Sequence, residues 1–372
     1  MSRELLIDMI TGSYPPMRCG VGDYAYKLSR AIRKQGVDVN VFTSRKARLH
    51  SRYDFLHPNV KKWSIVRMFF LLNKIRQSSP CIVHIQYPTI DYGYHLGPQA
   101  LLILLKLLGQ KVVTTIHEFQ LARIPRRLSL LPFLFWSNLL IFTSEEERMA
   151  VTQSFTWLRN KILDTSYVIP VGSNIPLLSN MKVSREEGPV VSFFGLFYPG
   201  RKIELVIHAF DEARKKYPAL KFRFIGDVHP RYKGYFLKIK ELAEEVLPND
   251  SLEWILGRTP EEIALALRQS VACVLPFPDG ASFRRTTFIA ALSLGVPIIT
   301  TRGKSTPGQL VDGVNVLFAD SPTAIANRID RLLTDVHLAD TIAENSKKLS
   351  SIFSWEQIAS DHIKAYERLQ SG

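Results

Sequence analysis

The chain begins with an apolar run of strand length at 5–11. An amphipathic run follows over 23–34, with Ala25, Leu28, Ala31 and Ile32 on one face. Apolar spacing of three and four marks a helix; a short unbroken apolar run bounded by turn residues marks a buried strand. Further strand-length apolar runs occupy 37–43, 82–86, 112–117, 139–143 and 167–170, and a nearly all-apolar helical stretch occupies 99–108. Apolar strands alternating with helices predict a parallel sheet covered on both faces.

The alternation restarts after Leu178. A polar stretch over 179–188 precedes a strand at 190–194. Helices are then predicted at 202–216, 232–247, 260–270 and 286–294, with strands at 221–225, 252–256, 271–275 and 297–301. The pattern predicts two doubly wound α/β units joined somewhere around 172–188. Ligands of open parallel sheets sit at the carboxyl ends of the strands, so candidate chemistry is sought just after strands in each half.

Composition adds one unusual feature. Hydrophobic residues make up 46% and charged residues 22% of 372, as in a folded protein, but the net charge is +14. Residues 1–178 hold 23 Lys/Arg against 11 Asp/Glu, and the remainder 25 against 23. Positive charge confined to one half points to an anionic partner: nucleic acid, a membrane surface or an acidic substrate. Cys19, Cys81 and Cys273 are far apart, which argues against a disulfide framework or a thiolate metal site and fits a reducing compartment. Glu4 and Asp8 interrupt the first apolar run, so it reads as a strand rather than a signal peptide. The greasiest segment, 128–142, is broken by Pro132 and Asn138 and falls short of the roughly 20 residues a membrane span needs. The expected location is the cytoplasm.

Four constellations could carry chemistry. Gly20, Gly22 and Asp23 lead into the first helix, where glycines and free amides suit an anion; a loop with Asp23 as N-cap is the plainer reading. His117-Glu118 follows a buried strand, and a histidine there can bond a hydroxyl or titrate near neutrality. Gly195 to Lys202 also follows a strand, and Arg201 and Lys202 oppose the dipole of the helix they open unless an anion sits there. Asp279-Gly280-Ala281-Ser282-Phe283-Arg284-Arg285-Thr286-Thr287 runs into another helix. Its guanidinium forks, hydroxyls and helix N-terminus suit a diphosphate.

These residues, in this order, resemble family 4 glycosyltransferases over nearly the whole chain. "GSYPPMRCGVGDYAYKLSRAIRKQGVDVNVFT", "VVTTIHEF", "FTSEEERMAV" and "VIPVGSNI" resemble landmarks of that family's first domain. "FFGLFYPGRKIELVIHAF", "FRFIGD", "AALSLGVPIITT" and "FSWEQIASDHIKAY" resemble those of its second domain and terminal helix. The resemblance implies the GT-B fold, with two Rossmann-like domains facing a central cleft. Residues 1–177 plus 356–372 would form the acceptor domain and 178–355 the donor domain, the last helix crossing back.

It also implies a retaining hexosyl transfer from a nucleotide-diphosphate sugar, UDP-glucose or a related UDP-hexose first and GDP-mannose next. The acceptor would be a saccharide or lipid-linked saccharide in polysaccharide or glycoconjugate synthesis. By the same resemblance His117, Arg201 and Lys202 would be catalytic, and Gly20, Gly22, Arg284, Arg285, Thr286 and Thr287 would hold the phosphates. Asp279, Gly280, Ala281 and Ser282 would meet the donor sugar, and Gly226, Ile255 and Leu256 the nucleoside.

The sequence departs from the family at three places. Leu196 stands where the phosphate loop has Arg. Lys202 stands where it has Gly after the Lys position taken by Arg201. The paired glutamates fall at Ser282 and Ala290. Asp279 and the two arginines then take over, as in a subset whose loop reads DGxSxRR. No Asp-x-Asp occurs, so no metal is expected. "KKWSIVRMFFLLNKIR" and "RIPRRLSLLPFLFW" mix cations with bulky apolar groups, which suits peripheral docking on the anionic inner face of a membrane; buried helices with basic outer faces are the plainer reading. Two alternatives stay open. One is a non-catalytic sugar-nucleotide-binding subunit. The other is an NADP-dependent oxidoreductase using Arg45 and Lys46, which the glycine spacing opposes. Nucleic-acid binding lacks a supporting module.

Overall fold

The structure, a computed structural model, describes residues 5–50, 53–120, 122–177 and 188–371, so most of the polar stretch expected between the units lies outside it. The chain forms two compact units, residues 1–171 with 355–372, and residues 172–354. The first break falls six residues before the expected 177/178 position, and the return falls at 354/355.

The first unit alternates as the apolar pattern dictates. In order come β1 (Leu6–Ile10), α1 (Gly20–Lys34), β2 (Asp38–Ser44), β3 (Leu56–Val60), α2 (Ile65–Ser78), β4 (Ile82–Tyr87), α3 (Gly97–Leu107) and β5 (Val112–Ile116). They are followed by α4 (Ile124–Leu128), α5 (Leu131–Trp136), β6 (Leu139–Phe142), α6 (Glu145–Ser154), α7 (Arg159–Asp164) and β7 (Ser166–Val168). Among the described residues they form a seven-stranded sheet in the order β3-β2-β1-β4-β5-β6-β7, every ladder parallel. On one face α1 seals the core with Ala25, Leu28, Ala31 and Ile32; on the other, α2 and α3 contribute Met68, Leu71, Leu101 and Leu105.

The second unit runs β8 (Val190–Phe194), α8 (Ile203–Lys216), β9 (Lys221–Gly226), α9 (Lys233–Val246), β10 (Leu252–Leu256), α10 (Pro260–Arg268), β11 (Ala272–Leu275) and α11 (Thr286–Leu294). Then come β12 (Ile298–Thr300), β13 (Leu317–Phe318), α12 (Pro322–Thr334) and α13 (Val336–Ser350). Among the described residues its six strands, all parallel, take the order β10-β9-β8-β11-β12-β13. The last helix, α14 (Trp355–Ser371), returns to the first unit and packs on α1, burying Ile358, Ala359, Ala365 and Tyr366.

Both sheets reverse their order at the same relative place, between β1 and β4 and between β8 and β11. The crevice beyond the carboxyl ends of such strands is where α/β sheets bind ligands. In each unit the loops leaving these strands therefore border the crevice in which a ligand would sit.

Candidate functional site

In the second unit, β8 and β11 flank the switch point, and their exits hold the Gly195–Lys202 and 276–285 loops. Arg201 is 4% exposed, and its guanidinium folds back to donate from Nη2 to the Phe194 carbonyl at 3.0 Å. Gly195 makes room for it, since a Cβ there would lie 2.3 Å from Nη2. The guanidinium lies 4.8 Å from the Phe277 ring centroid, and Arg285 lies 5.1 Å from the same ring. Burial, with a smaller contribution from the charge of Arg285, lowers the Arg201 pKa from its ordinary value. Among the described residues no carboxylate pairs with Arg201, and its Nε has no partner. A buried cation without a counter-charge is costly, and an anion at this spot relieves it.

Arg285 is also the N-cap of α11, whose first turn receives no side-chain cap. Its free amides and dipole favour negative charge. Thr286 is exposed and Thr287 half-buried at this helix start, with Arg284 exposed beside them. Arg285 forms an ion pair with Asp279 through Oδ1, and the Ser305 hydroxyl donates to Asp279 Oδ2 at 3.3 Å. Asp279, expected to contact a sugar, is thus engaged with its own loop. Ala281 packs into the core, and Ser282 is 2% exposed, so the outward surface here comes from Asp279 and the backbone.

The loop after β12 closes the other side. Gly303 and Gly280 touch so closely that a Cβ on Gly303 would lie 2.4 Å from the Asp279 carbonyl oxygen. Thr301 is bonded to both backbone polar groups of Phe277. Sequence reading missed Phe277, Thr301, Gly303 and Ser305, because nothing local marks a pairing some 25 residues distant.

Lys202 caps α8 in a left-handed conformation, φ 51°. The helix proper starts one residue later than expected. Gly226 and Leu256 are direct register partners at the ends of β9 and β10, with Ile255 adjacent. Gly226 is needed for space: a Cβ would lie 1.9 Å from the Gly195 carbonyl oxygen. Of the three residues expected at the nucleoside, Gly226 therefore adjoins the Gly195 loop, and Ile255 and Leu256 lie one strand beyond it.

In the first unit the switch point lies between β1 and β4. Helix α1 starts at Gly20, three residues before the expected position, with Cys19 as an N-cap that offers no side-chain bond. Asp23 sits inside the first turn instead of capping it. Gly20 faces open space, while Gly22 packs against the Ser13 backbone, where a Cβ would lie 3.0 Å from the Ser13 carbonyl.

His117 follows β5 and donates from Nε2 to Gln86 Oε1 at 2.8 Å, with its ring edge-on to Tyr24. Burial, with a smaller push from His362, brings its pKa down to about 3. The expectation that it titrates near neutrality is thereby corrected: it stays neutral, and Nδ1 keeps a lone pair for a hydroxyl donor. The loop after it is held by Glu147 of α6, buried, whose Oε2 accepts from the Phe119 and Gln120 amides at 2.8 and 3.2 Å. Gln86 and Glu147 lie within segments the sequence singles out, but nothing local marks them as supports.

The chain matches the family described as Glycosyltransferase Family 4 over residues 19–162 and that described as Glycosyl transferases group 1 over residues 176–349. It is 27% identical over 182 residues to an uncharacterized glycosyltransferase of Methanocaldococcus jannaschii, covering 48% of this chain and 47% of that one. It is 24% identical over 190 residues to the D-inositol 3-phosphate glycosyltransferase of Salinispora arenicola, covering 49% and 41%. The chain thus spans about half the length of the curated relatives it matches.

A glycosyltransferase structure from Rickettsia africae superposes with TM-score 0.75 at 14% identity, covering 99% of each chain. The Anabaena HepE structure in complex with UDP and glucose gives 0.69 at 15%, covering 98% of this chain and 100% of that one. With two parallel Rossmann-like sheets the chain has the GT-B fold, and its two units are similar in turn to the family described as Glycosyltransferase Family 4 and to that described as Glycosyl transferases group 1.

Proposed function

We propose that the chain is a retaining, metal-independent hexosyltransferase using a nucleotide-diphosphate sugar, UDP-glucose or a related UDP-hexose. The observation that carries this reading is Arg201, a buried guanidinium with no carboxylate partner among the described residues and an unpartnered Nε, close to Arg285 at the uncapped start of α11. A diphosphate supplies the missing counter-charge. The UDP and glucose in the HepE structure favour a UDP-hexose among donors of this kind.

In the reaction the bond from the sugar's anomeric carbon to the diphosphate oxygen breaks, and the nucleoside diphosphate leaves with the electron pair. The acceptor hydroxyl oxygen bonds to the anomeric carbon on the same face. Its proton passes to a phosphate oxygen of the leaving group. The protein's task is to stabilise the charge developing on that group, usually the largest catalytic contribution; Arg201, Lys202, Arg285 and the α11 amides do so. Arg284, Thr286 and Thr287 lie around the same phosphates, with the 279–282 backbone toward the sugar and Gly226, Ile255 and Leu256 toward the base. On the first unit, the neutral His117 offers a hydroxyl acceptor, and the α1 start, open at Gly20 and packed on the Ser13 backbone at Gly22, an anion site. The acceptor is a saccharide or lipid-linked saccharide, and the basic first unit docks on an anionic membrane surface.

A thermal-shift screen against UDP, GDP, ADP and NADP, followed by donor hydrolysis, tests the donor. UDP is expected to raise the melting temperature, and Arg201→Met to abolish that shift while leaving the unliganded protein as stable or more so, since a buried unpaired charge is removed. A shift with NADP alone, or an undiminished UDP shift in Arg201→Met, overturns the reading. Binding without donor turnover identifies a non-catalytic subunit.

A further inference from the structure

The two segments that mix cations with bulky apolar groups fold differently. In the later one, Arg127 is spent on its own loop, donating to the Ala122 and Gln120 carbonyls at 2.9 and 2.6 Å, and Phe133 and Leu134 are buried. In the earlier one, α2 turns Met68, Leu71, Leu72 and Ile75 inward, and Ile65, Val66, Phe69 and Phe70 are 48%, 68%, 51% and 61% exposed. Spacing of one, four and five residues puts those four on a single outer face. A helix apolar on both faces at a protein surface calls for a second covering.

Beside that face lies a concavity of about 310 Å³ between α2, the end of β3 and the segment after β2. Arg45, Asn59, Lys61, Arg67 and Lys74 line it with Phe70 at its edge, and no carboxylate lines it. Among the described residues none of these four cations is in an ion pair. Four uncompensated cations around a hollow, next to four outward apolar side chains, complement one kind of partner. Its charged groups are anionic and lie directly above an apolar layer.

We propose that α2 is the docking element for an anionic lipid bilayer, with Ile65, Val66, Phe69 and Phe70 entering the interface and the concavity receiving a lipid headgroup phosphate. This deepens the membrane reading above by fixing its place, and it is independent of the donor site. Interfacial helices sink their apolar face ~5–10 Å into the headgroup boundary, within reach of such a helix's bulky side chains. Each Lys or Arg near an anionic surface is worth about fivefold in partitioning, and screening shortens from ~8 Å at physiological salt to ~3 Å at 1 M.

Flotation of the full chain with phosphatidylcholine vesicles, alone or mixed with phosphatidylglycerol, tests this. The expected result is binding to the mixed vesicles only, lost at high salt. Phe69→Ser with Phe70→Ser abolishes it, and Lys61→Gln with Arg67→Gln and Lys74→Gln weakens it about a hundredfold. Phe135→Ser with Trp136→Ser leaves it intact. Circular dichroism and thermal melts confirm that the variants fold. Wild-type protein that ignores the mixed vesicles overturns both the membrane reading and this one. Wild-type binding that survives the α2 substitutions overturns only the assignment to α2. Self-association removed by the Phe69/Phe70 pair, or glycerol phosphate binding removed by the cation triple, overturns the bilayer assignment if vesicle binding is unchanged in that variant.

Discussion

At the scale of single residues, the proposed donor site depends on backbones that touch. Gly280 holds φ +93°, and Gly303 faces it with no room for a Cβ: the obstacles are the Asp279 carbonyl at 2.4 Å and the Gly280 amide at 2.7 Å. Backbone atoms cannot rotate aside as a flexible side chain does. Gly303→Ala is therefore expected to push the 279–282 loop away from the 303–306 loop, costing about 1–3 kcal/mol as an overpacking defect. It should also shrink any UDP-induced thermal shift. Melts of both proteins with and without UDP check it; unchanged stability and an unchanged shift would refute it. Gly280 was legible in the sequence because it follows Asp279 in an Arg-bearing loop before a helix. Gly303 was not, since its role exists only once β11 and β12 pair. The same holds for Arg201: its position could be read from the loop, but its burial and missing counter-charge are properties of the packed unit.

At the scale of elements, the helices and strands with strong periodicity were legible, and α1, α8 and α11 stand close to where the pattern put them. Strand β3 was not: LHPNV contains a proline and a polar pair and takes an edge position, where a missing N–H is tolerated. Helix α14 was recognised, but not the polar seam it makes. His362 is fully buried on α14; its Nδ1 donates to the Ile358 carbonyl at 2.7 Å, so the neutral ring accepts from the Tyr24 hydroxyl at Nε2. Tyr366 bonds His84 Nδ1 at 2.6 Å, and His84 bonds Thr115. Burial lowers the pKa of both histidines, that of His362 to about 4.

The sign follows from proton counting. Unfolded His362 binds a proton below its ordinary 6.5 and the folded form does not until about 4. Stability is therefore lost as pH falls through that window, by about 1.4 kcal/mol per pH unit. Asp8 opposes the trend: burial raises its pKa to about 6, so protonation favours the folded form. Overall acid stability thus mixes both, and a variant isolates the histidine. His362→Gln should show a shallower loss than wild type between pH 6.5 and 4, a difference of up to ~3 kcal/mol, read from denaturant melts at each pH. Parallel curves would refute the assignment.

At the scale of the whole molecule, one strand order is built twice, and each copy has a switch point of the kind at which α/β sheets bind ligands. The sequence announced this duplication plainly, because continuous apolar strands and amphipathic helices recur in both halves. That the last helix completes the first unit was implied by the resemblance and not by periodicity, since completion depends on contacts hundreds of residues apart. The first unit is discontinuous: residues 1–171 need 355–372. Removing α14 would strip Ile358, Ala359, Ala365 and Tyr366 from the core they share with Tyr24, Leu28 and Ile32. Each large apolar side chain so lost is worth about 1.5–3 kcal/mol, against a total stability of typically 5–15 kcal/mol. It would also expose the unfilled partners of the Tyr24–His362 and His84–Tyr366 bonds. A chain ending at Ser354 keeps every residue of the second unit, so the two units should respond unequally. Its first unit should lose its cooperative transition in calorimetry and exchange its β1, β4 and β5 amides rapidly. The second unit should still melt cooperatively and retain the thermal shift expected of the full chain with UDP. If the truncated protein instead keeps the protection of β1 and β4, α14 is an accessory and the first unit is complete without it.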